Sequence, residues 1–211
     1  MSINYLTLGY DCSPAGALKN LNLREFALPF DWVVSNVSIL NNCFEDNFFK
    51  FHKNLKFNVS KTRLIDEYGF QFPHDYPLNN MVDIKNDNIG EGIFGEERDC
   101  VIIDNWINYY DDVLAKYNRR IERFKNIVCD KQPIIVLCRY NTNDVINLQQ
   151  LFFKYYEKEN IYFINSNNEV FESDKIKNIY TEKNGIWNDT DIWKQCIDDT
   201  ILKIKNDNLH L

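Results

Sequence analysis

Short apolar segments alternate with longer amphipathic segments along the second half of the chain. Residues 134–138 and 161–164 are each an unbroken apolar run. Runs of this length are typical of strands that are buried on both faces, and parallel sheets covered by helices are built from such strands. The pattern predicts an α/β fold, with a single three-layer domain over residues 1–211 and a mostly parallel sheet flanked by helices. The helical segments, in which apolar residues recur every three or four positions, are 99–128, 143–158 and 190–205.

The same organisation is expected at the start of the chain. Residues 5–9 are predicted to form a short buried strand, and a helix is expected to begin near Pro14, because proline suits the first turn of a helix. Cys12 would then lie at the turn between strand and helix. Further along, the Gly-containing polar segment 79–97 is predicted to be a mobile surface loop.

Composition excludes several classes of protein. The formal net charge of −7 argues against a nucleic-acid partner that binds through a broad basic face. The apolar runs are far shorter than the roughly 20 residues of a membrane span, and no secretory signal precedes the first strand. The six cysteines are therefore expected to be reduced thiols in the cytoplasm. Without a C-x-x-C pair or a Gly-rich phosphate loop, we expect no metal site and no cofactor.

Cys12 is the most informative single residue. A helix N-terminus presents free N–H groups and a partial positive charge, which stabilise a thiolate and would also hold an oxyanion. Ligands of open α/β sheets bind at the carboxyl ends of strands, where this turn would lie. The alternative is that Cys12 is only a small buried apolar residue.

A thiolate nucleophile needs a base, and the chain has three histidines. His74 lies in a proline-flanked segment that reads as a loop, where catalytic groups often occur. His52 reads as a surface residue, and His210 is next to the end of the sequence given. We therefore predict His74 as the base, although it would equally suit a histidine packed under aromatic rings. Asp31 is our first candidate for the residue that orients the imidazole, as in Cys-His-Asn/Asp sites, and Asn141, which follows the strand that ends at residue 138, is the alternative.

Four motifs follow one another along the sequence. They are Leu-Gly-Tyr-Asp-Cys-Ser-Pro-Ala at 8–15, Leu-Pro-Phe-Asp-Trp at 28–32, Phe-Pro-His-Asp at 72–75 and Tyr-Asn-Arg-Arg-Ile-Glu-Arg-Phe at 117–124. In this order they resemble the motifs of an uncharacterised family described as "putative papain-like cysteine peptidases", found in bacteria and large DNA viruses. The resemblance implies that Cys12 is the nucleophile and His74 the general base, and that a papain-like α+β fold is the alternative to the α/β domain. The substrate would then be a peptide or another acyl compound, and the compartment would be the host cytoplasm if the source is viral.

Two other functions stay open at this point. In the first, the protein is not a peptidase, and the first strand–helix turn binds an anionic small molecule such as a phosphate or a sugar nucleotide. In the second, the protein is an esterase of the GDSL type, with Asp207 and His210 as its late D-x-x-H pair. In the first alternative, the residues that would contact the anionic ligand are Ser13, Arg120, Arg139 and Asn141. The sequence leaves the oligomeric state unknown.

Overall fold

A computed structural model describes residues 2–79, 101–181 and 190–207. Their central feature is a four-stranded sheet in which every neighbouring pair of strands is parallel; in spatial order its strands are β1 (Asn4–Thr7), β7 (Ile134–Cys138), β8 (Ile161–Asn167) and β9 (Ile176–Tyr180). The predicted α/β class with a mostly parallel sheet is confirmed. In chain order the strands and helices are β1 (Asn4–Thr7), α1 (Ser13–Asn20), α2 (Val37–Glu45), β2 (Lys56–Phe57), β3 (Leu64–Ile65), β4 (Gln71–Phe72), β5 (Leu78–Asn79), β6 (Val101–Ile102), α3 (Tyr110–Cys129), β7 (Ile134–Cys138), α4 (Thr142–Tyr156), β8 (Ile161–Asn167), β9 (Ile176–Tyr180) and α5 (Thr190–Asp207).

Helices cover the sheet on both faces, which gives three layers. Successive side chains of a strand point to opposite faces, so the buried strand β7 supplies both cores. Ile135 and Leu137 pack in one core with residues of α1 and α5. Ile134 and Val136 pack in the other core with residues of α2, α3 and α4. Burial on both faces explains why β7 is apolar at every position.

The segment from Phe26 to Trp32 follows a different course from the one expected. The sequence favoured an extended segment or edge strand there, but the structure shows turns and no strand. Phe30 is completely buried and lies within 6.0 Å, centroid to centroid, of five other phenylalanine rings. The aromatic side chain of Phe30 therefore anchors this loop in the core, and no strand pairing is needed there.

The long helix is shorter at its start than the periodicity suggested. It was expected from residue 99, whereas α3 begins at Tyr110 after a 3₁₀ turn at Trp106–Tyr109. Val101 and Ile102 form β6 instead, which pairs antiparallel with β5. The apolar spacing of the whole segment resembled one helix, although its first part pairs with a strand.

The predictions for the loop 79–97 and for His210 concern residues that the structure does not describe. Apart from Asn79 at the end of β5, the predicted mobile loop 79–97 lies outside the described residues, as does His210. In the part of the chain that is described, no helix is long and apolar enough to cross a membrane.

Candidate functional site

A sharp turn after β1 places Cys12 at the start of α1. Gly9 and Tyr10 take consecutive left-handed conformations, with φ of +84° and +71°. A Cβ on Gly9 would lie 2.5 Å from Ser35 Oγ, so this position requires glycine both for its backbone angle and for space. Backbone strain of this kind clusters at functional sites. The turn at Gly9 and Tyr10 leads the chain from the carboxyl end of β1 into α1, with Cys12 as the N-cap residue.

The structure brings Cys12 and His74, the predicted nucleophile and base, together. Cys12 Sγ lies 3.3 Å from His74 Nε2, which is a hydrogen-bond distance for sulfur. Cys12 is nearly buried, with 4% of its surface exposed, whereas His74 is exposed. The thiol therefore lies beneath an imidazole that faces solvent. The ring of Trp32 meets that imidazole edge-on, with 6.4 Å between the centroids.

Asp11 connects the Cys12 turn to the neighbouring strand. One oxygen of its buried carboxylate accepts hydrogen bonds from the Ser13 amide, at 2.8 Å, and from the Ser13 hydroxyl, at 2.7 Å. The other oxygen forms a salt bridge with Arg139, which follows β7. Two of the predicted ligand-binding residues, Ser13 and Arg139, are thus engaged by Asp11. The Ser13 amide belongs to the helix N-terminus whose N–H groups were expected to hold an oxyanion, but it is directed to this carboxylate instead.

Asp75 holds the segment that carries His74. Its carboxylate accepts a hydrogen bond from Lys116 Nζ at 2.5 Å and another from the Tyr117 hydroxyl at 2.7 Å, both from α3. Burial is the main reason that the pKa of Tyr117 is raised well above its usual value, so this hydroxyl stays protonated and donates to Asp75. Two donors from one helix therefore hold the backbone next to the imidazole.

Asp31, the predicted orienting residue, lies in a different set of contacts. Its carboxylate accepts hydrogen bonds from the Thr7 hydroxyl at 2.8 Å, from Arg24 at 2.8 Å and from the Leu28 amide at 2.9 Å. Burial raises the pKa of Asp31, and these three bonds oppose the rise. Its described contacts therefore connect β1 to the 24–32 loop. The Arg24 guanidinium lies 5.3 Å from the ring centroid of Trp32.

The two remaining predicted ligand-binding residues lie in separate surroundings. Asn141 is the N-cap of α4, and its side chain accepts a hydrogen bond from the Asp144 amide at 2.8 Å. Arg120 lies on α3 with its guanidinium 5.2 Å from the ring centroid of Tyr117. One of its nitrogens, Nη1, is buried and has no hydrogen-bond partner among the described residues. Asn141 thus serves the start of a helix, whereas Arg120 retains an unused donor.

The other described cysteines and histidine differ from the Cys12–His74 pair. Burial raises the pKa of the Cys43 and Cys138 thiols, which keeps both protonated at neutral pH. Cys129 is exposed at the end of α3. His52, which the sequence placed at the surface, is completely buried, with Nε2 2.8 Å from the Tyr76 hydroxyl. Among the described residues no cluster of three or more His, Cys, Asp or Glu side chains is arranged to hold a metal ion.

Several residues around the pair were not recognised from the sequence. Trp32 contacts His74, and Lys116 and Tyr117 hold Asp75. Lys116 read only as part of an amphipathic helix, because its partner lies 41 residues away in sequence. Trp32, Asp75 and Tyr117 did lie within the quoted motifs, and Asp75 also follows His74 directly in sequence, so these motifs were the available signal.

Comparison with known proteins gives one match. No curated protein and no solved structure matches the chain. A family model matches residues 3–166, well over half of the sequence, and this range contains Cys12, His74 and Arg139. The chain therefore belongs to the family described as "Putative papain-like cysteine peptidase".

Proposed function

We propose that this protein is a cysteine-dependent hydrolase or acyl-transfer enzyme in which Cys12 is the nucleophile and His74 the general base. The observation that carries the proposal is the 3.3 Å contact between Cys12 Sγ and His74 Nε2. A nucleophile within hydrogen-bond distance of a base is the arrangement on which covalent catalysis depends. Membership of the family described as papain-like peptidases supports a peptide as the substrate.

The reaction begins when the His74 imidazole accepts the proton of the Cys12 thiol. The thiolate attacks the substrate carbonyl carbon, so that a C–S bond forms and the carbonyl oxygen becomes an oxyanion. Collapse of this intermediate expels the amine or alcohol, which takes the proton from the imidazolium, and leaves a thioester on Cys12. Water activated by His74 then cleaves the thioester, which releases the acid and restores the thiol.

The start of α1 supplies the electrostatic support for this chemistry. The first-turn amides of a helix have no partner within the helix and point towards its N-terminal end. The Ser13 amide donates to Asp11, and Pro14 has no amide hydrogen. The first bond within the helix runs from the Gly16 amide to the Cys12 carbonyl. The Ala15 amide is therefore the first-turn donor of α1 that we assign to the thiolate or the oxyanion.

Asp31 acts in this proposal as a positioning residue. Its carboxylate binds Arg24, whose guanidinium lies over Trp32, and Trp32 in turn meets the His74 ring. Asp31 would thus limit the positions available to the imidazole through two intervening side chains, Arg24 and Trp32. This role replaces the direct contact between carboxylate and imidazole found in Cys-His-Asp sites.

The test is the rate at which iodoacetamide alkylates Cys12 compared with Cys129, which is a free and exposed cysteine of the same chain. Peptide mapping by mass spectrometry measures both rates in one sample. We expect faster alkylation of Cys12 despite its burial, because a thiolate and not a thiol reacts. Replacement His74→Gln should reduce the Cys12 rate and leave that of Cys129 unchanged.

The result also separates the enzyme from the anion-binding alternative. A protein that only binds an anion at this turn has no need of an activated thiol, so Cys12 would react no faster than Cys129. That outcome, or an accelerated rate that survives His74→Gln, would contradict the proposal. Circular dichroism of the variant is needed to show that the fold is retained.

A further inference from the structure

Cationic side chains contact the segments that support the Cys12–His74 pair, although the chain as a whole is acidic, with a formal net charge of −7. Three of them are neutralised by buried carboxylates. These three salt bridges join Arg24 to Asp31, Lys116 to Asp75 and Arg139 to Asp11. Arg120 and Arg123, also on α3, form no salt bridge with any described carboxylate. Among the described residues, the charges of these two arginines are therefore not paired.

Arg120 lies between the two segments that reach His74. Residues 116, 120 and 123 are one turn apart on α3 and share a face of the helix. At one end of this face Lys116 binds Asp75, the residue after His74. At the other end the Arg123 guanidinium lies 4.8 Å from the ring centroid of Phe26, in the loop that also carries Trp32. Arg120 therefore lies on the helix face that contacts both the residue after His74 and the loop that carries Trp32.

The donors of Arg120 are incompletely used. Its guanidinium lies over the Tyr117 ring, and its buried Nη1 has no hydrogen-bond partner among the described residues. A buried donor without a partner destabilises a fold, unless a ligand supplies the acceptor. Arginine offers paired N–H groups that match the two oxygens of a carboxylate or a phosphate.

We propose that Arg120, assisted by Arg123, binds an anionic group, a carboxylate or a phosphate, of the substrate that Cys12 attacks. The inference rests on the proposed function, because it assigns the substrate class of the same site. An acidic protein repels an anionic substrate at long range, so recognition of such a substrate requires a local cationic site of this kind. The substrate is therefore an acidic peptide or an acyl compound that carries a negative charge.

The test compares two alkylating reagents of nearly equal size, anionic iodoacetate and neutral iodoacetamide. With each reagent the Cys12 thiolate forms a C–S bond and iodide leaves. The readout is the ratio of the iodoacetate rate to the iodoacetamide rate at Cys12, divided by the same ratio at Cys129. We expect a value of about 10 or more in the unmodified protein, as for one charge-assisted hydrogen bond. In Arg120→Gln/Arg123→Gln the value should fall to about 1.

Arg119→Gln is the matched control, because Arg119 is an exposed arginine of the same helix. It changes the net charge in the same direction and should keep the high ratio. An equal fall in this control would overturn the proposal, since the effect would then come from the overall field. A ratio that stays high in Arg120→Gln/Arg123→Gln would also overturn it.

Protection experiments distinguish the two anions. If inorganic phosphate slows the reaction of iodoacetate with Cys12 at a lower concentration than acetate does, the recognised group is a phosphate, and the reverse order indicates a carboxylate. Protection by neither contradicts the proposal. Failure of the proposed function is a separate result, because iodoacetamide itself would then alkylate Cys12 no faster than Cys129.

Discussion

His52 gives this protein a specific sensitivity to acid. The side chain is completely buried, with Nε2 at 2.8 Å from the Tyr76 hydroxyl. Its second ring nitrogen, Nδ1, has no hydrogen-bond partner among the described residues. Burial lowers the pKa of His52 from 6.5 to about 4, the charge of Asp75 opposes the change, and Lys116 adds to it. The fold therefore holds this imidazole in its neutral form.

The sign and size of the effect follow from linkage between protonation and unfolding. Because the folded pKa lies below the unfolded value of 6.5, the unfolded chain takes up the proton first as the pH falls. The contribution to stability is complete above pH 6.5 and is lost as the pH falls towards about 4. A pKa difference of this size corresponds to about 3 kcal/mol in full, of which about 2 kcal/mol is lost by about pH 5.

The measurement is the free energy of unfolding in urea at about pH 8 and about pH 5, for the original protein and for His52→Gln. Glutamine can bond the Tyr76 hydroxyl and does not titrate. Asp66, whose pKa burial raises to about 7, acts in the opposite sense but is present in both proteins. We expect the original protein to lose about 2 kcal/mol more than the variant between the two pH values. An equal loss in both would refute the assignment of a neutral buried histidine.

Three further substitutions test the architecture around Cys12. Gly9→Ala places a Cβ only 2.5 Å from Ser35 Oγ on a residue with a left-handed backbone. We therefore expect the free energy of unfolding in urea to fall by about 2 kcal/mol or more. An unchanged free energy of unfolding would show that the turn can relax. Asp11→Asn leaves Arg139 without its buried counterion, which should cost about 3 kcal/mol. In Asp11→Asn/Arg139→Gln the loss should be smaller than the sum of the single losses, and strict additivity would show that the two residues do not interact. Tyr117→Phe removes one of the two hydrogen-bond donors to Asp75. We expect the fold to be destabilised by about 1–2 kcal/mol, and Cys12 to be alkylated more slowly because the segment that carries His74 is held less firmly. A normal alkylation rate would mean that Asp75 does not position His74.

Local patterns in the sequence were sufficient for the elements that frame the site. The apolar runs of β7 and β8 and the periodicity of α3 and α4 depend on residues within one element, so they predicted a parallel sheet covered by helices. The position of Cys12 at the strand–helix turn could also be predicted from neighbouring residues, because Pro14, two positions later, marks the first turn of the helix. These features require no knowledge of distant partners.

The contacts that support the site were decided only by the tertiary structure. Asp11 and Arg139 are 128 residues apart in sequence, and Asp75 and Tyr117 are 42 apart. The sequence predicts Asp31 as the residue that orients His74, but in the fold its oxygens accept hydrogen bonds from Thr7, Arg24 and Leu28. The sequence positions of charged and polar residues show no periodic pattern from which their contact partners could be predicted. Which pairs meet depends on how the strands and helices pack, and this packing is a property of the whole chain.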